Sequence, residues 1–197
     1  MSLRSEDSVL DHYQAMELAV SALMIDKGYF TEADMAVEID AMAKRTPDIG
    51  AAVVAQAWTD PDFKARLLAD GTAACESIGL DMGPTRLMVV ESTDKIHNVI
   101  VCTLCSCFPR MLMGIPPDWY KSKDYRSRVV REPRVVLQEF GTEPGADVDV
   151  RVHDNTADMR YLVLPRRPEG TDGMSREELA KLVTRDSMIG VKIVEAP

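Results

Sequence analysis

The sequence is poor in several features that mark whole classes of protein. It has four cysteines, too few for the disulfide framework of a small secreted protein. No apolar run in it approaches the roughly 20 residues of a membrane-spanning helix, so we expect no association with a membrane. Basic residues are also scarce, with 23 Lys and Arg against 32 Asp and Glu and a net charge of −9. Nucleic acids are bound by clustered Lys and Arg, so we expect no nucleic-acid partner.

The chain also lacks a targeting signal that we can identify. Its first residues, MSLRSEDSVLDHYQ, contain no apolar core of the kind found in signal peptides, and we therefore expect a cytoplasmic protein. Apolar residues make up 46% and charged residues 28%, which is ordinary for a globular protein. The 197 residues suit one domain, or one domain that carries a long arm.

The pattern of the first 80 residues predicts helices. Apolar side chains recur at spacings of three and four between about Ser8 and Lys27. Further helices are predicted after the capping residue Thr31, over Ala51–Trp58, and after Asp60-Pro61. We expect the Met and aromatic stripes of these helices to pack in a core.

Strands appear in the pattern after Gly79. Asp147–Asp154 alternates apolar and polar residues, and we expect it to form a hairpin with the strand Arg160–Leu164. Further strands are predicted over Arg86–Val90, Val99–Val101 and Met188–Val194. Further helices are predicted over Trp119–Arg128, Glu132–Phe140 and Ser175–Val183. The predicted fold class is α+β, with a helical N-terminal region over residues 1–80 and an α+β metal-binding domain over residues 81–197.

Three of the four cysteines are clustered. Cys102, Cys105 and Cys107 stand at i, i+3 and i+5. A tight loop with this spacing brings three sulfurs to one point, together with the peptide nitrogens of Ser106 and Cys107. A metal ion there would have three sulfur ligands, two nitrogen ligands if the amides lose their protons, and one open position. Amides lose their protons only to a strongly polarising metal that prefers anionic donors, which fits trivalent low-spin cobalt or iron. Zinc has no ligand-field preference that would favour deprotonated amides.

Other interpretations of the cysteines fit less well. A structural zinc site normally takes four side-chain ligands, and an iron–sulfur cluster normally takes four cysteines. A thioredoxin-like pair would open a helix, which Pro109 and Gly114 do not favour. His97 is either a fourth ligand or, more commonly for such a histidine, a partner of a backbone group. Cys75 is expected to be a small buried apolar residue.

The cluster resembles the metal-binding loop of the nitrile hydratase α subunit. Thr103 within the loop resembles the cobalt type, and members with a similar loop include the toyocamycin nitrile hydratase α subunit and the thiocyanate hydrolase γ subunit. The resemblance extends over the second half of the chain, in blocks at 97–98, 102–107, 114–121, 131–134, 160–165, 167–171 and 184–191.

The resemblance implies a ligand set and a reaction. The sulfurs of Cys102, Cys105 and Cys107, with the nitrogens of Ser106 and Cys107, would hold one Co(III) ion per chain, iron being less favoured. Cys105 would become a sulfinic acid and Cys107 a sulfenic acid, while Cys102 would stay a thiolate. The reaction would be a lyase reaction, hydration of a nitrile to an amide, with Cys105, Ser106 and Cys107 as the catalytic residues. The nucleophile is left open between a water molecule and the sulfenate oxygen.

The resemblance also implies partner chains. The partner would be a nitrile hydratase β subunit, either as one chain or split into two. It would supply two arginines to the oxidised sulfurs. A cobalt-inserting activator protein is expected as a further partner, and an isolated chain would self-associate through the face around the cysteines and the Trp119-Tyr120 loop. The chain's own Arg110, Arg131 and Arg134 would then support the fold or an interface.

One departure from the family bears on the substrate. Arg110-Met111 stands where relatives usually have Trp-Pro in the substrate pocket. We therefore expect a polar pocket lined by Arg110 and Met111, and a bulky or polar nitrile as substrate. The alternatives are a γ-type subunit of thiocyanate hydrolase and a metal-binding protein without catalytic activity.

Overall fold

The computed structural model describes residues 12–197 and divides into two compact units, residues up to Ala43 and Lys44–Pro197. The first unit holds the helices α1 (His12–Asp26) and α2 (Glu32–Ala43). The predicted start of α1 at Ser8 lies outside the described residues. Thr31 and Asp34 cap α2 reciprocally, because the Asp34 amide donates to Thr31 Oγ1 and the Thr31 amide donates to the Asp34 carboxylate.

Neither helix of the first unit contains a buried residue. Tyr13 is 77% exposed, Leu18 is 58% exposed and Ile39 is 56% exposed. The prediction that these stripes pack in a core is therefore wrong for the first unit. The physical reason is that its described residues form two helices and no third element to cover their apolar stripes.

The second unit is a mixture of short helices and strands, which confirms the α+β class. Its helices are α3 (Pro47–Thr59), α4 (Pro61–Ala69), α5 (Gly71–Glu76), α6 (Arg110–Met113), α7 (Asp118–Lys121), α8 (Lys123–Arg131), α9 (Pro133–Glu139), α10 (Arg176–Leu182) and α11 (Arg185–Ile189). Its strands are β1 (Arg86–Glu91), β2 (Ile96–Val101), β3 (Asp149–Asp154) and β4 (Met159–Leu164). Among residues 12–197, no helix is long and apolar enough to cross a membrane.

The strands form two parallel pairs. β1 pairs with β4 in the register Arg86 to Met159, and β2 pairs with β3 in the register Ile96 to Asp149. The predicted hairpin of β3 and β4 is therefore wrong. Five of the six residues of β2 are buried, a pattern typical of a strand covered on both faces, as parallel strands usually are.

Two further predictions fail at residues that start helices. Ser122 is extended and its hydroxyl accepts from the Tyr125 amide, so the predicted helix Trp119–Arg128 is split into α7 and α8. The segment Met188–Val194 is not a strand, because Thr184 and Ser187 form a capping box that starts α11. Gly190 then ends α11 in the left-handed conformation at φ +92°.

The helices α3, α4 and α5 belong to the second unit. Helices α4 and α5 pack on β1, whereas α3 packs against the helices α4, α6, α10 and α11. Asp60 and Asp70 cap α4 and α5, each through a side-chain oxygen that accepts a backbone amide. Phe63, Leu67 and Leu87 are almost fully buried in the common core. The helical region that the sequence predicts over residues 1–80 is thus shared between the two units.

Candidate metal centre

Residues 102–107, here called the thiol loop, connect β2 to the short helix α6. The loop leaves the sheet at Val101, which is fully buried, and Pro109 precedes the first turn of α6. Cys102 is buried at the base of the loop, Cys107 is partly buried and Cys105 is exposed. The loop therefore presents its cysteines from the end of a buried strand towards an open face.

The three sulfurs of the thiol loop converge. The Cys105 Sγ lies 3.4 Å from the Cys102 Sγ and 3.2 Å from the Cys107 Sγ. All three sulfurs lie within 4.8 Å of one another. The spacing i, i+3, i+5 thus places three thiols where a single ion can contact them all, as the sequence predicts.

The backbone nitrogens of the loop also face the cluster. The amides of Ser106 and Cys107 both donate towards the Cys105 sulfur. Hydrogen bonds from the Cys107 thiol, from the Cys102 thiol and from these amides lower the pKa of Cys105 to about 7. Cys105 is therefore biased towards the thiolate, which is the form that binds a metal.

The Cys107 thiol instead favours its protonated form. Desolvation by burial, followed by donation of its proton to Cys105, raises the pKa of Cys107 to about 12. The positive charge of Arg160 acts against this rise. Of these two neighbouring thiols, Cys105 is therefore the one biased towards negative charge.

Side chains from other elements hold the thiol loop in place. The Asp154 carboxylate accepts from the Thr103 amide at 2.9 Å and from the Thr103 hydroxyl at 2.5 Å. The Tyr120 hydroxyl donates to the Cys107 carbonyl at 3.0 Å and accepts from Asn155 Nδ2 at 2.8 Å. Both ends of the loop are therefore fixed by hydrogen bonds to residues distant in sequence.

Most of these supporting residues carry no signal in the sequence. Asp154 and Asn155 read only as a turn, and the pairing of β3 with β2 is what brings them to the loop. Tyr120 lies in one of the family-like blocks, but it is fully buried rather than part of an exposed loop. The prediction that the Trp119-Tyr120 loop adds to an exposed apolar face is therefore wrong for Tyr120.

The donor set fits a metal that binds thiolates and amides. The group of potential side-chain ligands here has three members, and within residues 12–197 no fourth His, Cys, Asp or Glu joins it. His97 Nε2 instead donates to the Gly190 carbonyl at 2.7 Å, as expected for a histidine bound to backbone. Cys75 is fully buried, and burial raises the pKa of its thiol to about 12. A zinc site with four side-chain ligands is not matched, whereas three sulfurs facing two amides suit cobalt or iron.

The remaining residues that the sequence analysis predicts for the pocket or the fold lie in α6, directly after the thiol loop, and in α8 and α9. Arg110 is exposed at the start of α6, and the next residue, Met111, is partly buried against the core. Arg134 donates to the carbonyls of Pro144 and Val148, and Arg131 donates to the Ser127 carbonyl of its own helix. Arg134 therefore ties α9 to the segment before β3, while Arg131 stays exposed on α8.

Comparison with known proteins agrees with this geometry. Residues 11–192 match the family described as "Nitrile hydratase, alpha chain". The cobalt-containing nitrile hydratase subunit alpha of Pseudonocardia thermophila is 48% identical over 98% of this chain and 96% of its own length.

Solved structures of relatives have the same fold. A double mutant of the Fe-type nitrile hydratase from Comamonas testosteroni matches with a TM-score of 0.86 and 45% identity, over 95% of this chain and 93% of that one. A recombinant thiocyanate hydrolase with partially modified cobalt centres matches with a TM-score of 0.88 and 39% identity, over 95% of this chain and 94% of that one. On this fold, this thiol loop and these matches, the chain belongs to the nitrile hydratase alpha-chain family.

Proposed function

We propose that the chain is the catalytic, metal-binding subunit of an enzyme that hydrates a nitrile to the corresponding amide. Cys102, Cys105 and Cys107 would hold one low-spin Co(III) ion through their sulfurs, with the nitrogens of Ser106 and Cys107. The observation that carries this proposal is the convergence of three thiols within 4.8 Å at one end of a buried strand.

Cobalt is proposed over iron on two grounds. Thr103 is the residue that resembles the cobalt type of the family, and the Pseudonocardia thermophila relative is named as cobalt-containing. The Fe-type structural relative shows that the same fold serves iron in that protein. Anionic sulfur and nitrogen donors suit either low-spin trivalent ion, so a metal analysis decides between them.

The chain's own residues define how a substrate approaches. When bound, the metal supplies Lewis acidity that makes a nitrile carbon electrophilic. The burial of Cys102 closes one side of the site, and the exposure of Cys105 leaves the other side open to a substrate. The nucleophile is either a water molecule beside the Cys107 sulfur or a sulfenate oxygen on that sulfur. The Tyr120 hydroxyl holds the Cys107 backbone while this oxygen is delivered.

A partner chain completes the proposed site. Leu104 in the thiol loop is 91% exposed, and Ile115 shortly after α6 is 60% exposed. Exposed apolar side chains beside an open site favour coverage by another chain. We propose a β-type subunit, single or split, that supplies two arginines to the oxidised sulfurs of Cys105 and Cys107. A cobalt-inserting activator protein and self-association of the isolated chain belong to the same proposal.

The substrate is proposed from Arg110. Arg110 stands three residues after Cys107, and its guanidinium would offer a substrate five donors that a small aliphatic nitrile cannot satisfy. Burying those donors without partners would weaken binding, so a bulky or polar nitrile is favoured. Thiocyanate is the second candidate because its negative charge would pair with Arg110 and a thiocyanate hydrolase is among the structural relatives.

The test is a substrate comparison with the reconstituted complex. We expect kcat/KM to be higher for a heteroaromatic nucleoside nitrile than for acetonitrile, and Arg110→Trp to reverse that order. Lys181→Trp, at an exposed position on α10, is the control and should leave the order unchanged. Preference for thiocyanate would establish the second candidate, and preference of the unaltered enzyme for acetonitrile would overturn the substrate proposal. About one cobalt per chain without turnover of any of the three would indicate a metal-binding protein without catalytic activity.

A further inference from the structure

Arg126 is directed at the backbone of the thiol loop from the neighbouring helix α8. Its Nη1 donates to the Cys105 carbonyl at 3.1 Å and to the Thr103 carbonyl at 3.5 Å. Its Nε donates to the Ser122 carbonyl at 3.4 Å, at the start of α8. None of the ion pairs within residues 12–197 involves Arg126. Its guanidinium is thus committed to backbone carbonyls.

The Cys105 carbonyl shares a peptide plane with a proposed metal ligand. The Cys105 oxygen and the Ser106 nitrogen belong to one planar unit, in which the C=O and N–H bonds of a trans peptide point in opposite directions. A hydrogen bond that fixes the oxygen towards Arg126 therefore also fixes the direction of the Ser106 nitrogen. That nitrogen faces the Cys105 sulfur, on the side of the thiol cluster.

The middle of the thiol loop has no comparable support from the residues that hold its ends. Asp154 contacts Thr103, and Tyr120 contacts the Cys107 carbonyl. Cys105 is the most exposed of the three cysteines. Among residues 12–197, Arg126 is the side chain that reaches the Cys105 carbonyl from another element, and it contacts the Thr103 carbonyl as well.

We infer that Arg126 is a positioning residue for the metal centre. Its guanidinium bridges two carbonyls of the thiol loop and so orients the Ser106 nitrogen and the Cys105 sulfur towards a common point before metal binds. This inference rests on the proposed function, because the consequence it predicts is a change in the affinity of the site for cobalt. Nη1 donates to both loop carbonyls while Nε donates to the Ser122 carbonyl, so a lysine with its single nitrogen replaces Arg126 only in part.

The experiment compares Arg126→Met, Arg126→Lys and the control Arg131→Met in the full-length, reduced chain. Arg131 lies on the same helix α8 but is exposed and donates to the Ser127 carbonyl instead of the loop. Co²⁺ is titrated anaerobically against a competing chelator and followed by thiolate-to-cobalt absorption. We expect Arg126→Met to weaken Co²⁺ binding by about tenfold to about a hundredfold, the range usual for loss of a residue that orients a metal ligand. Arg126→Lys should lie between Arg126→Met and the unaltered chain, and Arg131→Met should stay within about twofold of it.

A second measurement needs no metal. Amide hydrogen exchange at Leu104 and Ser106 should be faster in Arg126→Met than in Arg131→Met, with exchange in β2 unchanged. Equal Co²⁺ affinity in the unaltered chain and Arg126→Met would overturn the inference, as would equal losses in Arg126→Met and Arg131→Met. If the unaltered chain binds no Co²⁺, the proposed function fails. Hydrogen exchange then still decides whether Arg126 orders the loop.

Discussion

Thr103 and Asp154 are joined by two hydrogen bonds, although 51 residues separate them in the chain. Both the amide and the hydroxyl of Thr103 donate to the carboxylate of Asp154. Thr103 follows the end of β2 and Asp154 ends β3, so the parallel pairing of these strands brings the two residues together. The position of the thiol loop thus depends on a strand pair that forms far from it in sequence.

Removal of this carboxylate should loosen the thiol loop. Asp154→Ala leaves two donors of Thr103 without their charged partner, and we expect a loss of about 1–2 kcal/mol in the free energy of unfolding. Chemical denaturation measures this loss. Thr103→Ser keeps both donors and should change the free energy by less than about 0.5 kcal/mol. Equal stability of Asp154→Ala and the unaltered chain would show that the two hydrogen bonds do not support the loop.

Gly190 is expected to tolerate a side chain less well than Gly170. It adopts φ +92°, and an added Cβ would lie 2.0 Å from the Asn98 carbonyl oxygen. Gly170 adopts φ +78° with nothing within 4 Å of an added Cβ, so it isolates the cost of the left-handed conformation. We expect Gly170→Ala to cost about 1 kcal/mol and Gly190→Ala more than about 3 kcal/mol. Thermal unfolding of both variants tests this, and similar losses would contradict the close approach at Gly190.

Stability should fall in mild acid because of His97. Burial, more than any other cause, lowers the pKa of His97 below its usual 6.5. The unfolded chain therefore takes up this proton more readily than the folded chain. The stabilisation is fully present above about pH 6.5 and is lost as the pH falls through the lower pKa of the folded state.

The measurement for His97 is the free energy of unfolding between about pH 7 and about pH 5. His97→Gln keeps a donor for the Gly190 carbonyl but does not titrate, so it should make the decline smaller. The remainder is expected from His153, whose pKa is also lowered by burial. His12→Gln, at an exposed position of α1, should leave the decline unchanged. A decline of the same size in His97→Gln would exclude His97 as its source.

The sequence predicts the elements that local signals define. Asp60 and Ser175 start their helices as expected, because each holds a backbone amide within its own turn. The spacing of the three cysteines also predicts that their sulfurs can meet in one tight loop, and they do lie within 4.8 Å of one another. Residues distant in sequence then hold that loop in place.

Tertiary pairing explains what the sequence could not show. The alternation in β3 predicts a strand but not its partner, and β3 pairs in parallel with β2 rather than with its neighbour β4. Asp154, Asn155 and Arg126 contact the loop or its Tyr120 support only after this pairing and the packing of α8. No spacing in the sequence marks them.

The most direct test of the central claim is the cobalt content of a cysteine variant. Cys105→Ser replaces the exposed sulfur of the cluster with a neutral hydroxyl that is a poor donor for a soft metal site. Cys75→Ala, which removes a fully buried thiol far from the cluster in sequence, is the matched control. After growth with cobalt and dialysis against a chelator, elemental analysis should find about one cobalt per chain in the unaltered protein and in Cys75→Ala, and essentially none in Cys105→Ser. Equal cobalt in Cys105→Ser and the unaltered protein would contradict the assignment of the thiol loop as the metal centre.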